Sequence, residues 1–215
     1  MGRDNCEKTI KNIKKFHNEK ADLFSNKKKG TREKMVVRVF LRCLGISFKE
    51  CELTENCPEP VDVIFRNHFR FQIMEILDND RQRGEEYKKF RQKVHNEKNL
   101  ENLLKPYNPT ETLSLKSTIE LISKKLFKKS EHYPSIEKSQ LDILVYINLK
   151  NLHFYDKSPE FPLDELRKQG WRSVSFVWPP YSVILFANKD ADDSLTSRVG
   201  NILSEWNDYD SFFEI

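Results

Sequence analysis

Apolar residues recur at roughly helical intervals over residues 7–24, at Ile10, Ile13, Phe16 and Leu23 among lysines and glutamates. This spacing predicts an amphipathic helix lying on the surface of the domain. Residues 26–30 break it. Thr31 can cap a second helix in which Met35, Val36, Val37, Val39, Phe40, Leu41, Cys43 and Leu44 are apolar over most of the girth, until Gly45 stops it. Such a helix is buried. Alternation over 46–53 predicts a strand, and the prolines and Asn56 within 54–60 predict a loop.

Two apolar runs follow, 61–65 and 69–77, separated by a tight turn. Asp78 can cap a helix that begins near Asp80 and runs through Glu85, Tyr87, Phe90 and Val94, and Asn108-Pro109-Thr110 punctuates before a helix near 112–130 with Leu115, Ile119, Leu121, Ile122, Leu126 and Phe127. Strands are predicted over 141–149, 171–178 and 181–187, the last two as a hairpin or neighbouring pair, and a final helix near 192–206 precedes an acidic, aromatic tail. There are no internal repeats. The order helix, helix, three strands, helices, three strands, helix implies an α/β sandwich around a mixed sheet. At 215 residues it is expected to form one domain, 1–215, with the helix near 7–24 packed on it.

The first hairpin carries the candidate chemistry. Asp62 stands alone in Val61-Asp62-Val63-Ile64-Phe65, and Gln72, Met74 and Glu75 interrupt Phe69-Arg70-Phe71-Gln72-Ile73-Met74-Glu75-Ile76-Leu77. An ionised carboxylate inside an apolar strand costs several kcal/mol unless it is paired, hydrogen-bonded or bound to a metal. Alternation puts Gln72, Met74 and Ile76 on one face and Phe71, Ile73, Glu75 and Leu77 on the other. Register then selects the site. A three-residue loop of Arg66, Asn67 and His68 sets Asp62 across from Gln72, whereas a two-residue Asn67-His68 turn sets Ile73 across from Asp62 with Glu75 diagonally near.

Composition narrows the class. The chain is 38% hydrophobic and 33% charged, with 15 Phe, 7 Tyr and 3 Trp, too many aromatic residues for disorder. A net charge of +4 permits a nucleic-acid partner without arguing for one. Basic residues cluster at Lys27-Lys28-Lys29, Arg81 with Arg83, Lys88-Lys89, and Lys124-Lys125 with Lys128-Lys129; such runs are usually solvated faces. No window has the apolar length of a signal peptide or a membrane span, so a cytoplasmic protein with no membrane partner is expected. Cys6, Cys43, Cys51 and Cys57 are expected as free thiols, and Cys51-x5-Cys57 lacks zinc-site spacing.

A helix with a Glu, a strand, an Asp-bearing strand and a partner strand with an acid or amide two residues before a special position form the layout of PD-(D/E)xK nucleases. The chain resembles them, and in particular the bacterial family known as domain of unknown function 1780, described as "putative endonucleases" with a restriction-endonuclease-like fold. The likeness runs from Phe24-Ser25-Asn26 through Arg32-Glu33-Lys34-Met35-Val36-Val37-Arg38-Val39-Phe40-Leu41, Leu44-Gly45-Ile46-Ser47-Phe48 and Val61-Asp62-Val63 to Glu75-Ile76-Leu77-Asp78, Arg81, Arg83 and Glu86-Tyr87. It continues more weakly over 141–149 and at Gly170-Trp171-Arg172-Ser173-Val174-Ser175.

The resemblance implies a restriction-endonuclease-like mixed β-sheet flanked by helices, and a metal-dependent endonuclease acting on DNA phosphodiesters. Asp62 matches the metal Asp, Gln72 the (D/E) position, Met74 the Lys position, and Glu33 is the candidate helical acid; Glu75 is the alternative ligand to Gln72. Magnesium or manganese would activate water and steady the phosphoryl oxygens, and the Lys would add charge at the transition state. Gln72 brings no negative charge and Met74 none of the work of Lys, so the implied site is degenerate. The alternative is a non-catalytic nuclease-fold protein that binds nucleic acid or a protein. Arg81, Arg83, Lys88 and Lys89 are the candidate contacts to DNA.

Plainer readings stand beside these. Asp62 can accept hydrogen bonds from nearby backbone, and Glu33 is favourable near a helix start through the helix dipole. His68 suits a hairpin tip, and His17, His95, His132 and His153 are scattered. No nucleophile elbow is present.

Overall fold

A computed structural model of the chain describes residues 3–23, 28–55, 57–77, 83–97, 114–149 and 163–205. The chain divides into two compact units, Met1–Arg32 with Asp78–Thr110, and Glu33–Leu77 with Glu111–Ile215. In the first, helix α1 (Arg3–Leu23) packs against α3 (Arg83–Asn96), and Lys14 Nζ donates to the His95 carbonyl at 3.0 Å. No described helix is long and apolar enough to cross a membrane.

The second unit is built on a sheet of seven described strands in sequence order: β1 (Leu53–Glu55), β2 (Val63–Phe65), β3 (Phe69–Leu77), β4 (Asp142–Asn148), β5 (Ser173–Trp178), β6 (Tyr181–Ala187) and β7 (Ile202–Ser204). The sheet is mixed, as expected. β3, β4 and β5 run parallel, and the pairs on either side of them are antiparallel. Parallel neighbours require crossovers. The chain joining β3 to β4 includes α4 (Leu115–Ser130) and the short α5 (Ser135–Lys138), and that joining β4 to β5 includes α6 (Leu163–Lys168).

Both faces of the central strands are buried, which is why β4 and β5 read as near-continuous apolar runs. Ile143, Val145, Ile147 and Phe176 pack against Ile119, Ile122 and Leu126 of α4 and Leu166 of α6. Phe65, Phe71, Leu144, Val177 and Ile184 pack on the other face against Val36, Val37, Phe40 and Leu41 of α2 (Lys29–Cys43) and Leu195 of α7 (Asp193–Thr196).

Two predicted elements differ. The strand expected over 46–53 forms only from Leu53. Ahead of it Glu50–Glu52 makes a 3-10 turn, because the Glu52 carboxylate turns back to accept from Lys49 N–H at 2.7 Å and gives the backbone a local alternative to pairing. The helix expected over 192–206 lasts one turn. Asp192 caps α7, but Gly200 at φ +83 turns the chain and donates N–H to the Ile184 carbonyl at 2.8 Å, delivering β7 to the edge of β6.

One buried acid ties the parallel strands together. Asp142, 1% exposed at the start of β4, pairs in register with Phe71 of β3 and Ser173 of β5. Its Oδ1 accepts from Ser173 Oγ at 2.7 Å and Arg172 Nε at 3.0 Å, and its Oδ2 accepts from Arg70 N–H at 3.2 Å and from Arg172 Nη2. Removing one member of a buried pair strands the other charge. Asp142→Ala is therefore expected to cost about 3 kcal/mol or more in denaturant unfolding. A loss below about 1 kcal/mol would show the pair to be dispensable.

Candidate functional site

The turn of the first hairpin settles its register. Arg66 and Asn67 both adopt positive φ, 50° and 55°, and His68 N–H donates to the Phe65 carbonyl at 3.1 Å. Phe65 pairs with Phe69, Ile64 with Arg70 and Val63 with Phe71, so the loop has three residues. One pair further, Asp62 stands across from Gln72, the first of the two registers considered. The loop is fastened on three sides. Arg66 reaches Glu52 through Nε at 2.8 Å, Arg172 Nη2 donates to the His68 carbonyl at 3.0 Å, and His68 Nε2 lies 3.0 Å from Asp192 Oδ2.

Asp62 is half-buried at the entrance to β2. Its N–H donates to the Phe71 carbonyl at 2.9 Å, and its Oδ2 accepts from Ile73 N–H at 2.8 Å. Gln72 is 6% exposed, its Nε2 donates to Tyr133 Oη at 2.8 Å, and its buried Oε1 has no partner. Met74 packs against the apolar cluster under α4. The structure thus brings Asp62, Gln72 and Met74 to one short stretch of the hairpin, but commits two of them to the protein interior.

Glu75 and Glu33 go elsewhere. Alternation turns Glu75 to the face of Ile73, where its Oε1 accepts from Asn148 Nδ2 at 2.9 Å. Glu33 is a half-buried residue of α2, the helix that covers the Phe71 face and not the Gln72 face. Among the described residues no three His, Cys, Asp or Glu side chains come together in a way that could hold a metal ion. A divalent ion at Asp62 would find one carboxylate there, already bonded to an amide, and the neutral, orphaned Gln72 Oε1. This donor set does not fit a magnesium or manganese centre, which needs carboxylate charge in a near-octahedral shell of oxygens.

The remaining candidates are simply placed. Arg81 lies outside the described residues. Arg83 begins α3, and Lys88 and Lys89 are exposed on that helix, in the first unit. Cys43, Cys51 and Cys57 are free thiols. Burial pushes the Cys43 thiol up to about 11, which disqualifies it as a nucleophile at neutral pH.

The family model described as "Putative endonuclease, protein of unknown function" (domain of unknown function 1780) matches residues 5–208. The chain belongs to this family. A solved structure shares the fold, with a TM-score of 0.64 at 22% identity over 95% of this chain and 96% of the other. It is a protein of unknown function from Pseudomonas aeruginosa strain PAO1, described as a member of the monooxygenase superfamily. No curated protein matches.

In this family member, the sequence pattern leaves two structural groups unmarked. Asp142 interrupts an apolar strand just as Asp62 does, and the same cost argument would have singled it out, with Arg172 as partner. Tyr133, which holds Gln72, gave no signal, because a tyrosine after a helix has no spacing that announces its partner.

His68 and Asp192 offer a test of the hairpin latch. Burial opposes ionisation of Asp192, yet hydrogen bonds from Ser194 and the neighbouring His68 hold its carboxyl below the ordinary 3.8. A depressed carboxylate pKa gives stability that is present above the unfolded value and is lost as pH falls through the folded one. Asp192→Asn is expected to lower stability by about 0.5 kcal/mol at pH 6. The difference from the native chain should close as pH drops below 3.8. A difference that persists in acid would assign the effect to packing instead.

Proposed function

We propose that this family member keeps a restriction-endonuclease-like fold to bind nucleic acid and no longer cuts it. The observation that carries the reading is Gln72. At the position where the resemblance expects an acid, a neutral amide is buried and tied to Tyr133. Met74, at the expected lysine position, lies against the core. The order of elements supports the nuclease likeness: a helix bearing Glu33, then β1, then Asp62 entering β2, then β3 with Gln72 and Met74. Phosphodiester hydrolysis needs charge where the transition state gains it, and this pair of residues supplies none.

Binding in this reading is electrostatic, through Arg81, Arg83, Lys88 and Lys89, and its salt response measures how many phosphates are neutralised. Four such contacts predict that the logarithm of the association constant for duplex DNA falls against the logarithm of salt with a slope of roughly −3.6. A flat response would remove nucleic acid as the partner.

Incubated with supercoiled or single-stranded DNA and magnesium or manganese, the native protein is expected to leave both uncut. Gln72→Glu with Met74→Lys restores an acid and an ammonium beside Asp62, and is expected to raise cleavage that Asp62→Ala abolishes. Brisk metal-dependent cleavage by the native chain, lost on Asp62→Ala, would overturn the reading.

A further inference from the structure

Helix α4 places Lys124, Phe127 and Lys128 at i, i+3 and i+4, on the flank beside its buried stripe. Lys168 at the end of α6 and Lys138 at the end of α5 join them, with Glu165, around a pocket of about 530 Å³. That volume lies in the range of small-ligand sites, roughly 300–1,000 Å³. The floor is fixed. Gln169, 6% exposed, donates Nε2 to the Ser123 carbonyl at 3.4 Å and accepts from Trp171 Nε1 at 3.1 Å, and Ser123 Oγ donates to Glu165 at 3.4 Å.

The lining sets four ammonium groups against one carboxylate. Among the described residues none of Lys124, Lys128, Lys138 and Lys168 has an ion-pair partner. Clustered like charges around a concave, partly dry surface focus a positive potential there, and an anion relieves it. Phe127 is 58% exposed at the same rim and takes no part in either core. Ammonium groups beside an accessible aromatic ring combine the two features that hold a phosphate and a base.

We propose that this pocket binds a nucleotide unit, its phosphates on Lys124, Lys128 and Lys168 and its base against Phe127, supplied by a free nucleotide or by a single strand. The site uses residues separate from Asp62, Gln72 and Met74, and needs no chemistry from them. It opens on the same side of the sheet as Gln72. Tyr133, which accepts the Gln72 amide, meets Trp171 edge to face at 5.8 Å, and Trp171 bonds the pocket floor.

The test titrates the full chain with ATP, with inorganic triphosphate and with a short fluorescent single-stranded DNA. Lys124→Glu with Lys128→Glu is expected to weaken ATP or the strand at least tenfold. Phe127→Ala should weaken the same ligand by about tenfold and leave triphosphate unchanged. Preference for ATP identifies a free nucleotide as the ligand, and preference for the oligonucleotide identifies a strand. Lys168→Ala, on α6, gives the same readout should charge reversal on α4 disturb folding, which the thermal midpoint reports. Absence of binding to both ATP and the strand, or binding unchanged in every pocket variant, overturns the proposal. So does triphosphate binding as tightly as ATP with Phe127→Ala silent. Loss of strand binding only in Lys88→Glu with Lys89→Glu overturns the pocket while leaving the nucleic-acid reading intact.

Discussion

The architecture of the second unit turns on one buried carboxylate. Asp142 sits where three parallel strands begin, and each of its oxygens accepts two hydrogen bonds from groups outside its own strand. Parallel pairing has weak intrinsic register, because neighbouring strands arrive by long crossovers and no tight turn fixes their offset. An acid that is costly to bury without all of its donors converts an approximate alignment into a single one. The same Arg172 that neutralises it also holds the His68 carbonyl, so the register of β4 and β5 and the loop of the first hairpin are set by one group.

That constraint decides what the hairpin can do. With β3 fixed against β4, Gln72 and Met74 must face α4, and Phe71, Ile73 and Glu75 must face α2. A helical acid on α2 therefore cannot join a cluster built on the Gln72 face. A methionine in such a strand carries none of the burial cost of an ammonium, and a glutamine none of that of a carboxylate. Both residues favour packing over charge, as the tie of Gln72 to Tyr133 and the apolar setting of Met74 display.

Much of this order could be read from the chain. The amphipathic stripes of α1, α2 and α4, the hairpin and the strands β4 to β6 followed from periodicity, because burial on one or two faces writes itself directly into spacing. The loop register was narrowed to two choices and no further, since Asn67-His68 and Arg66-Asn67-His68 are both acceptable turns and the deciding contacts come from Glu52, Arg172 and Asp192, remote in sequence. The pattern over 192–206 predicts a longer helix than forms, because it carries no sign that Gly200 meets the Ile184 carbonyl. Residues 46–52 failed for a similar reason, as the side chain of Glu52 competed with strand pairing.

Asp62 and Asp142 present the same pattern in sequence, a single acid among branched apolar residues, and differ in what neutralises them. Asp142 gains a guanidinium and is withdrawn from solvent, so its charge is spent on structure. Asp62 gains an amide, remains half-exposed, and faces a glutamine that carries one orphaned oxygen. A lone acid in a strand thus signals that a partner exists, while the partner's chemistry separates a structural pin from a site. Asp62 bonds the Ile73 backbone amide, and lysines of the helices on the same face of the sheet gather around Phe127. Those lysines face a single carboxylate, Glu165, so the electrostatics of that pocket favour an anion.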